Sequence, residues 1–193
     1  MNINEIRSEI RDHPSNSPQL KLGYEPIFSA APESKIVIIG QAPGRVAQES
    51  GIPWNDVSGD TLRDWLGLSR EQFYDEKLIA LVPMDFYFPG KGKSGDLPPR
   101  KEFAEMWHPQ ILSSMTDLQL TILVGRYAQS YYLGDTAKRN LTETVRAASE
   151  YLPTQLPLVH PSPLTIRWRK QNPWFESETL PEARSIVSNI LPD

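Results

Sequence analysis

The chain has 193 residues, of which 39% are hydrophobic, and a formal net charge of −4. A chain of this length suits one hydrophobic core, so we expect residues 1–193 to form a single domain. The sequence contains no cysteine, which excludes disulfide bonds, thiolate metal sites, iron–sulfur clusters and cysteine nucleophiles.

Residue spacing also argues against a membrane-bound or metal-dependent protein. No apolar run approaches the length needed to cross a bilayer, and the N-terminus lacks the charged and then apolar layout of a signal peptide. The three histidines lie far apart in sequence and show no metal-ligand spacing. We therefore expect a cytoplasmic protein with no membrane partner, no metal and no cofactor.

Apolar spacing predicts the secondary structure in chain order. Isoleucines at helical spacing predict a helix over residues 2–12, and we expect residues 1–34, this helix and a connection, to pack on the core. Four later apolar runs predict buried strands: Ile36–Ile39, Leu78–Val82, Leu120–Val124 and Leu156–Val159. Helical patterns cover Thr61–Leu66, Arg70–Tyr74 behind the N-cap Ser69, and residues 100–115, 126–133, 140–151 and about 180–191.

Strands that alternate with helices favour a parallel sheet with right-handed crossovers. We therefore predict an α/β fold, a three-layer α/β/α sandwich with a four-stranded parallel central sheet. Ligands of such sheets bind at the carboxyl ends of the strands, so the segments that follow the strands are the candidate functional segments.

The segment after the first strand, residues 40–44, reads Gly-Gln-Ala-Pro-Gly. Its backbone N–H groups and the amide of Gln41 suit a grip on a flat polar ring. Trp54 and Asp56 follow closely. The indole offers a stacking face, and the carboxylate can orient a water molecule or oppose a developing cation. The plainer alternative is a Gly-Pro turn that merely ends a strand.

The segment after the second strand, residues 83–100, is rich in glycine and lysine. It contains Gly-Lys-Ser but no P-loop, because that motif needs a glycine where Tyr87 stands. The segment remains a candidate for binding nucleic-acid phosphates through backbone N–H groups and ammonium charge. We expect Asp85 or a neighbour to face the ligand.

The segment after the last strand begins with His-Pro-Ser-Pro at residues 160–163. In a parallel sheet this places His160 on the same edge as Gln41 and Asp56. Residues 164–170 mix apolar, aromatic and basic side chains, which suits a loop that inserts into a base stack and contacts phosphates. The alternative is the start of an ordinary surface helix.

The order of these motifs resembles the uracil-DNA glycosylase superfamily. The matching parts are Gly-Gln-Ala-Pro-Gly after a strand, then Gly-x-Pro-Trp, then His-Pro-Ser-Pro after the last strand. The likeness covers roughly residues 35–190 and is closest to an uncharacterised bacterial branch without an iron–sulfur cluster. It implies a four-stranded α/β/α sandwich, as the periodicity does.

The resemblance implies roles for individual residues. Trp54 matches the aromatic residue that stacks on the flipped base, and His160 matches the histidine that bonds uracil O2. Ala42 stands where the best-known members have a catalytic Asp, whereas Asp56 resembles the functional Asp of an Ala-containing branch. Asp56, His160 and Gln41 are therefore the expected catalytic residues.

The remaining expected contacts fall into two groups. Substrate contacts are Gly40, Ala42, Pro43, Gly44, Trp54, Asn55, Asp85 and Ser162. DNA contacts are Lys91, Lys93, Ser94, Arg100, Leu164, Arg167, Arg169 and Lys170. The pyrimidine-reading Asn of the family has no match after the second strand. Asp85 in that region accepts hydrogen bonds and does not donate unless protonated, so cytosine-like or modified bases stay open beside uracil.

The expected function is excision of uracil or a related deaminated or modified base by hydrolysis of its N-glycosidic bond. The expected partner is DNA that contains such a base, and the expected state is a monomer. One alternative is a non-catalytic module that binds DNA or a free base in the same pocket. A more distant one is a hydrolase of free nucleosides.

Overall fold

A parallel sheet of four strands forms the centre of the computed structural model, which describes residues 2–93 and 95–191. The strands are β1 Ile36–Gly40, β2 Ile79–Pro83, β3 Leu120–Val124 and β4 Gln155–Leu158. Their order in space is β2-β1-β3-β4, and all three neighbouring pairs are parallel. Each strand lies within one residue of its predicted bounds. The predicted sheet is therefore confirmed.

Helices connect and cover the strands. They are α1 Ile3–Asp12, α2 Ser17–Lys21, α3 Arg45–Ser50, α4 Val57–Leu66, α5 Arg70–Tyr74, α6 Lys101–Ser113, α7 Arg126–Leu133, α8 Leu141–Arg146, α9 Ile166–Gln171 and α10 Leu180–Ile190. A π-helical turn, Phe175–Thr179, runs directly into α10, and 3₁₀ turns cover Pro14–Asn16, Gly134–Thr136, Ala148–Glu150 and Pro163–Thr165.

Two helix predictions differ from the structure. Helix α4 begins at Val57 rather than Thr61, because the Asp56 side chain caps it. The helix predicted over residues 140–151 is divided at Ala147 into α8 and the 3₁₀ turn Ala148–Glu150. The division occurs there because the ψ of Ala147 is 21°, outside the helical region.

The sheet is buried on both faces, which gives the three-layer sandwich that was predicted. Successive residues of β1 point to opposite faces. Ile36 and Ile38 pack in one cluster with α4, α5 and α10. Val37 and Ile39 pack in a second cluster with α1, α6 and α7. The fully buried, β-branched run of β1 is therefore typical of a central parallel strand.

The buried histidine His108 of α6 connects the helical layer to the end of β2. Its Nε2 lies 2.9 Å from the carbonyl oxygen of Pro83, and its Nδ1 lies 2.6 Å from the hydroxyl oxygen of Tyr132. The carbonyl only accepts, so Nε2 carries the proton and Nδ1 accepts from the tyrosine. Burial lowers the pKa of His108 from 6.5 to about 4, with the bond to Pro83 opposing the shift.

This histidine makes the stability of the fold depend on pH. The folded pKa lies below the unfolded one, so protonation favours the unfolded chain. The stabilisation is present above about pH 6.5 and is lost as the pH falls towards about 4. At about 1.4 kcal/mol per pKa unit, the loss amounts to roughly 3 kcal/mol.

We expect His108→Gln to reduce this loss, because a neutral amide can donate to Pro83 at every pH. Urea unfolding at about pH 7 and about pH 4 should show a smaller change in unfolding free energy for the variant. Other titrating groups, His160 included, are common to both proteins and cancel. Equal pH dependence in the two proteins would contradict the assignment.

Candidate active site

A cleft of about 590 Å³ opens at the carboxyl edge of the sheet. The segments that follow β1, β2 and β4 line it together with the chain before α4. This is where parallel α/β sheets bind ligands, and the size suits a small organic ring system. The segments that we expected to converge at this edge therefore do line one cleft.

Trp54 forms one wall of the cleft in a strained backbone conformation. Its φ is 55°, which is rare for a bulky residue. Two glycines make room for it: a Cβ on Gly40 would lie 2.7 Å from Cζ2 of the indole, and a Cβ on Gly59 would overlap the Trp54 carbonyl oxygen. The Tyr74 hydroxyl also lies 3.2 Å from that oxygen. Trp54 is thus held rigidly, with its ring centroid 5.7 Å from that of His160.

His160 presents a neutral donor to the cleft. Its Nδ1 accepts a 3.2 Å hydrogen bond from the backbone N–H of Ser162, so the ring proton of the neutral form sits on Nε2. Burial lowers the pKa of His160 below 6.5, and attraction to the carboxylates of Asp56 and Asp96 only partly offsets this. Among the described residues, Nε2 has no hydrogen-bond partner and is therefore available to a ligand.

The two carboxylate oxygens of Asp56 have different environments. Its Oδ1 accepts the backbone N–H of Gly59 at 2.9 Å and so caps α4. Its Oδ2 lies 3.3 Å from the position that a Cβ on Gly44 would occupy, and it has no hydrogen-bond partner within residues 2–93 and 95–191. The absence of a side chain at Gly44 therefore lets a carboxylate oxygen sit beside the segment that carries Ala42.

Gln41 connects two of the segments. Its side-chain amide donates to the carbonyl oxygen of Leu97 at 3.0 Å. Its own backbone carbonyl accepts from the N–H of Asp85 at 3.2 Å, which extends the pairing of β1 and β2 beyond the strands. Ala42 and Pro43 line the cleft beside it.

Asp85 lies outside the cleft, contrary to its expected contact with substrate. It is 1% exposed, and its two oxygens accept from Nε and Nη2 of Arg100 at 2.7 Å each. A buried carboxylate needs such a partner, which keeps Asp85 away from a base. Arg100 also donates to the side-chain oxygen of Asn16. Its guanidinium therefore forms hydrogen bonds within the protein rather than with a phosphate. Asn55 is likewise outside the cleft, where its side chain accepts from Arg70.

The expected DNA-contacting lysines lie on a hairpin, which the structure describes for residues 90–93 and 95–97. Lys91 lines the cleft and donates to Oδ1 of Asp96 at 2.7 Å. Lys93 is exposed on the same hairpin but does not line the cleft. Ser94 lies outside the described residues.

The expected DNA-contacting residues after β4 have different environments. Leu164 is 77% exposed at the rim of the cleft, in the 3₁₀ turn that precedes α9. Arg167 and Lys170 are exposed on α9, which is the surface helix given above as the alternative. Arg169 is engaged, since it pairs with Glu176 at 3.1 Å and lies over the ring of Trp65.

Several cleft residues were not predicted from the sequence: Ser58, Asp96, Tyr127 and Thr165. Asp96 carried the clearest signal, because it follows Gly95 in a glycine-rich turn that has lysines on its other side. Within residues 2–93 and 95–191, no helix has the length and apolarity to cross a membrane, and no three His, Asp or Glu side chains could together hold a metal ion.

Comparison with known proteins identifies the family of this chain. The model of the Uracil DNA glycosylase superfamily matches residues 27–184, which include every segment of the cleft. Among solved structures, the chain is similar to a candidate uracil DNA glycosylase from Methanosarcina acetivorans, determined by solution NMR. The identity is 19% and the TM-score 0.42, over 83% of this chain and 97% of that one. Because the family model spans well over half of its length, the chain belongs to the uracil DNA glycosylase superfamily.

Proposed function

We propose that this chain is a DNA glycosylase that takes uracil or a related deaminated or modified base into the cleft and hydrolyses its N-glycosidic bond. The observation that carries the proposal is that one cleft contains both a neutral Nε2–H on His160 and an Asp56 carboxylate oxygen without a hydrogen-bond partner among the described residues. Bond cleavage leaves negative charge on the base and positive character on the sugar. The His160 donor would stabilise the first charge, and the Asp56 carboxylate would stabilise the second.

The base is extruded from the stack before it reacts, at a cost of a few kcal/mol. Trp54 supplies a face for stacking, which its rigid backbone keeps in place without further ordering. Leu164 is the residue best placed to fill the vacated stack, because it projects from the rim and is largely exposed. Arg167 and Lys170 on the following helix then meet the phosphates.

The chemical step is a displacement at C1′ of the sugar. The C1′–N bond breaks with its electron pair remaining on the base, and His160 donates a hydrogen bond from Nε2 to the oxygen that gains charge. Backbone N–H groups near Gln41 assist. Asp56 stabilises the cationic sugar and accepts a proton from the water whose oxygen bonds to C1′. The base anion is protonated by solvent after release.

The first test is base release from oligonucleotides with a single uracil, hypoxanthine or xanthine, as single and double strands. We expect an abasic product, detected as an alkali-labile site on a denaturing gel. Saturable binding without an abasic product would instead identify a non-catalytic module, which Ala42 in place of the familiar carboxylate makes a relevant outcome. Action on free nucleosides without DNA affinity would identify a nucleoside hydrolase.

His160→Ala should slow single-turnover base release by about 100- to 1000-fold, the usual effect of removing one oxyanion donor. DNA affinity, measured by fluorescence anisotropy, should stay near the wild-type value. Because burial keeps the pKa of His160 below 6.5, the wild-type rate should not titrate with this group above that pH. A full rate in the variant would remove His160 from the chemistry.

Asp56→Asn separates the two tasks of this residue. Asparagine caps helices as well as aspartate does, so the thermal unfolding midpoint should stay close to that of the wild type. The single-turnover rate should fall by orders of magnitude, because the amide neither stabilises a cation nor accepts a proton. Asp56→Ala is the comparison: it should lose both activity and about 1 kcal/mol of stability. An undiminished rate in Asp56→Asn would show that the carboxylate is not needed.

A further inference from the structure

The hairpin formed by residues 90–93 and 95–97 brings two opposite charges to the cleft. Lys91 and Asp96 face each other as a β-bridge, and their side chains form a 2.7 Å ion pair. Two backbone bonds close the turn around them, from Gly92 to Gly95 and from Leu97 to Gly90. Both side chains line the cleft that also contains His160.

The hairpin has a defined position. The Gln41 amide donates to the carbonyl oxygen of Leu97, which ties the hairpin to the end of β1. The Leu97 side chain covers the turn, lying within 3.5 Å of where Cβ atoms on Gly90 and Gly92 would be. The ion pair therefore stands at a fixed place relative to the residues that follow β1.

Among the described residues, no other ion pair has both side chains in the cleft lining, since Arg45 lines the cleft but Glu49, its partner at 3.9 Å, does not. The Thr165 hydroxyl donates to the carbonyls of His160 and Ser162, and the Gln41 amide is engaged with Leu97. Ser58 and Tyr127 contribute one hydroxyl each. In contrast, Lys91 keeps further N–H groups after pairing, and Asp96 keeps its Oδ2 without a partner among the described residues.

The order of the two charges along the cleft is also defined. The Asp96 side chain is 28% exposed and that of Lys91 is 68% exposed, so the carboxylate lies deeper. Asp96 is also near enough to raise the pKa of His160 against the effect of burial. The cleft therefore holds the His160 donor and the Asp96 acceptor, with the Lys91 donor nearer to solvent.

We propose that the Lys91–Asp96 pair reads the edge of the base and selects bases with an imide edge, C=O, N–H and C=O in succession. The inference rests on the proposed glycosylase function. Uracil and xanthine carry this edge: His160 donates to the first oxygen, Asp96 accepts from the N–H, and Lys91 donates to the second oxygen. Cytosine would place its ring acceptor against a carboxylate and its amine against an ammonium group, so it is rejected.

The test compares two bases that differ at this edge. Oligonucleotides carry uracil or pyrimidin-2-one, which keeps the first carbonyl but lacks the N–H and the second oxygen. The variants are Asp96→Ala and Lys91→Met, with Lys93→Met as the matched control because Lys93 lies on the same hairpin but does not line the cleft. Single-turnover rates give the uracil to pyrimidin-2-one ratio for each protein. Differences in leaving-group reactivity cancel when these ratios are compared.

We expect the ratio to fall by about 10- to 100-fold in Asp96→Ala and in Lys91→Met, as is usual for loss of a charge-assisted hydrogen bond. Lys93→Met should keep the wild-type ratio even where its affinity for DNA falls. An unchanged ratio in both test variants, with uracil still released by the wild type, overturns the assignment and leaves the glycosylase function standing. A uniform loss on both bases in Lys91→Met identifies a phosphate contact and also overturns it. Failure of the wild type to release any base refutes both proposals.

Discussion

The packing of Trp54 against two glycines fixes the geometry of the cleft. The indole lies against Gly40 at the end of β1, and the Trp54 carbonyl lies against Gly59 in the first turn of α4. These contacts set the distance between the sheet edge and the helix that Asp56 caps. The stacking wall, the carboxylate and His160 therefore depend on one close-packed arrangement, which also holds the strained positive φ of Trp54 in place.

The sheet was predictable from sequence because its strands are buried on both faces and read as continuous apolar runs. The convergence of Gln41, Asp56 and His160 followed from the rule that parallel strands end at one edge. The position of Asp85 was not predictable. It depends on Arg100, fifteen residues away, and on Asn16 in the N-terminal segment, so tertiary pairing decides where the carboxylate points.

The position of Asp96 in the cleft was not predicted from the sequence for a similar reason. A charged residue in a glycine-rich turn reads as solvated surface, and only the bridge to Lys91 and the bond from Gln41 to Leu97 turn it towards the cleft. The same pairing reduces the positive charge left for DNA. Arg100 and Arg169 are also engaged internally, so we expect few phosphate contacts and a shallow dependence of affinity on salt.

The hydrogen bond from Gln41 to Leu97 attaches the hairpin to the end of β1 without making it part of the reaction centre. The groups proposed for the chemistry follow β1 and β4, whereas the ion pair proposed for base selection lies on a separate hairpin after β2. Turn length and charge order in that hairpin can change without displacing Trp54, Asp56 or His160. Specificity can therefore evolve, or be engineered, as a module attached to a constant reaction centre.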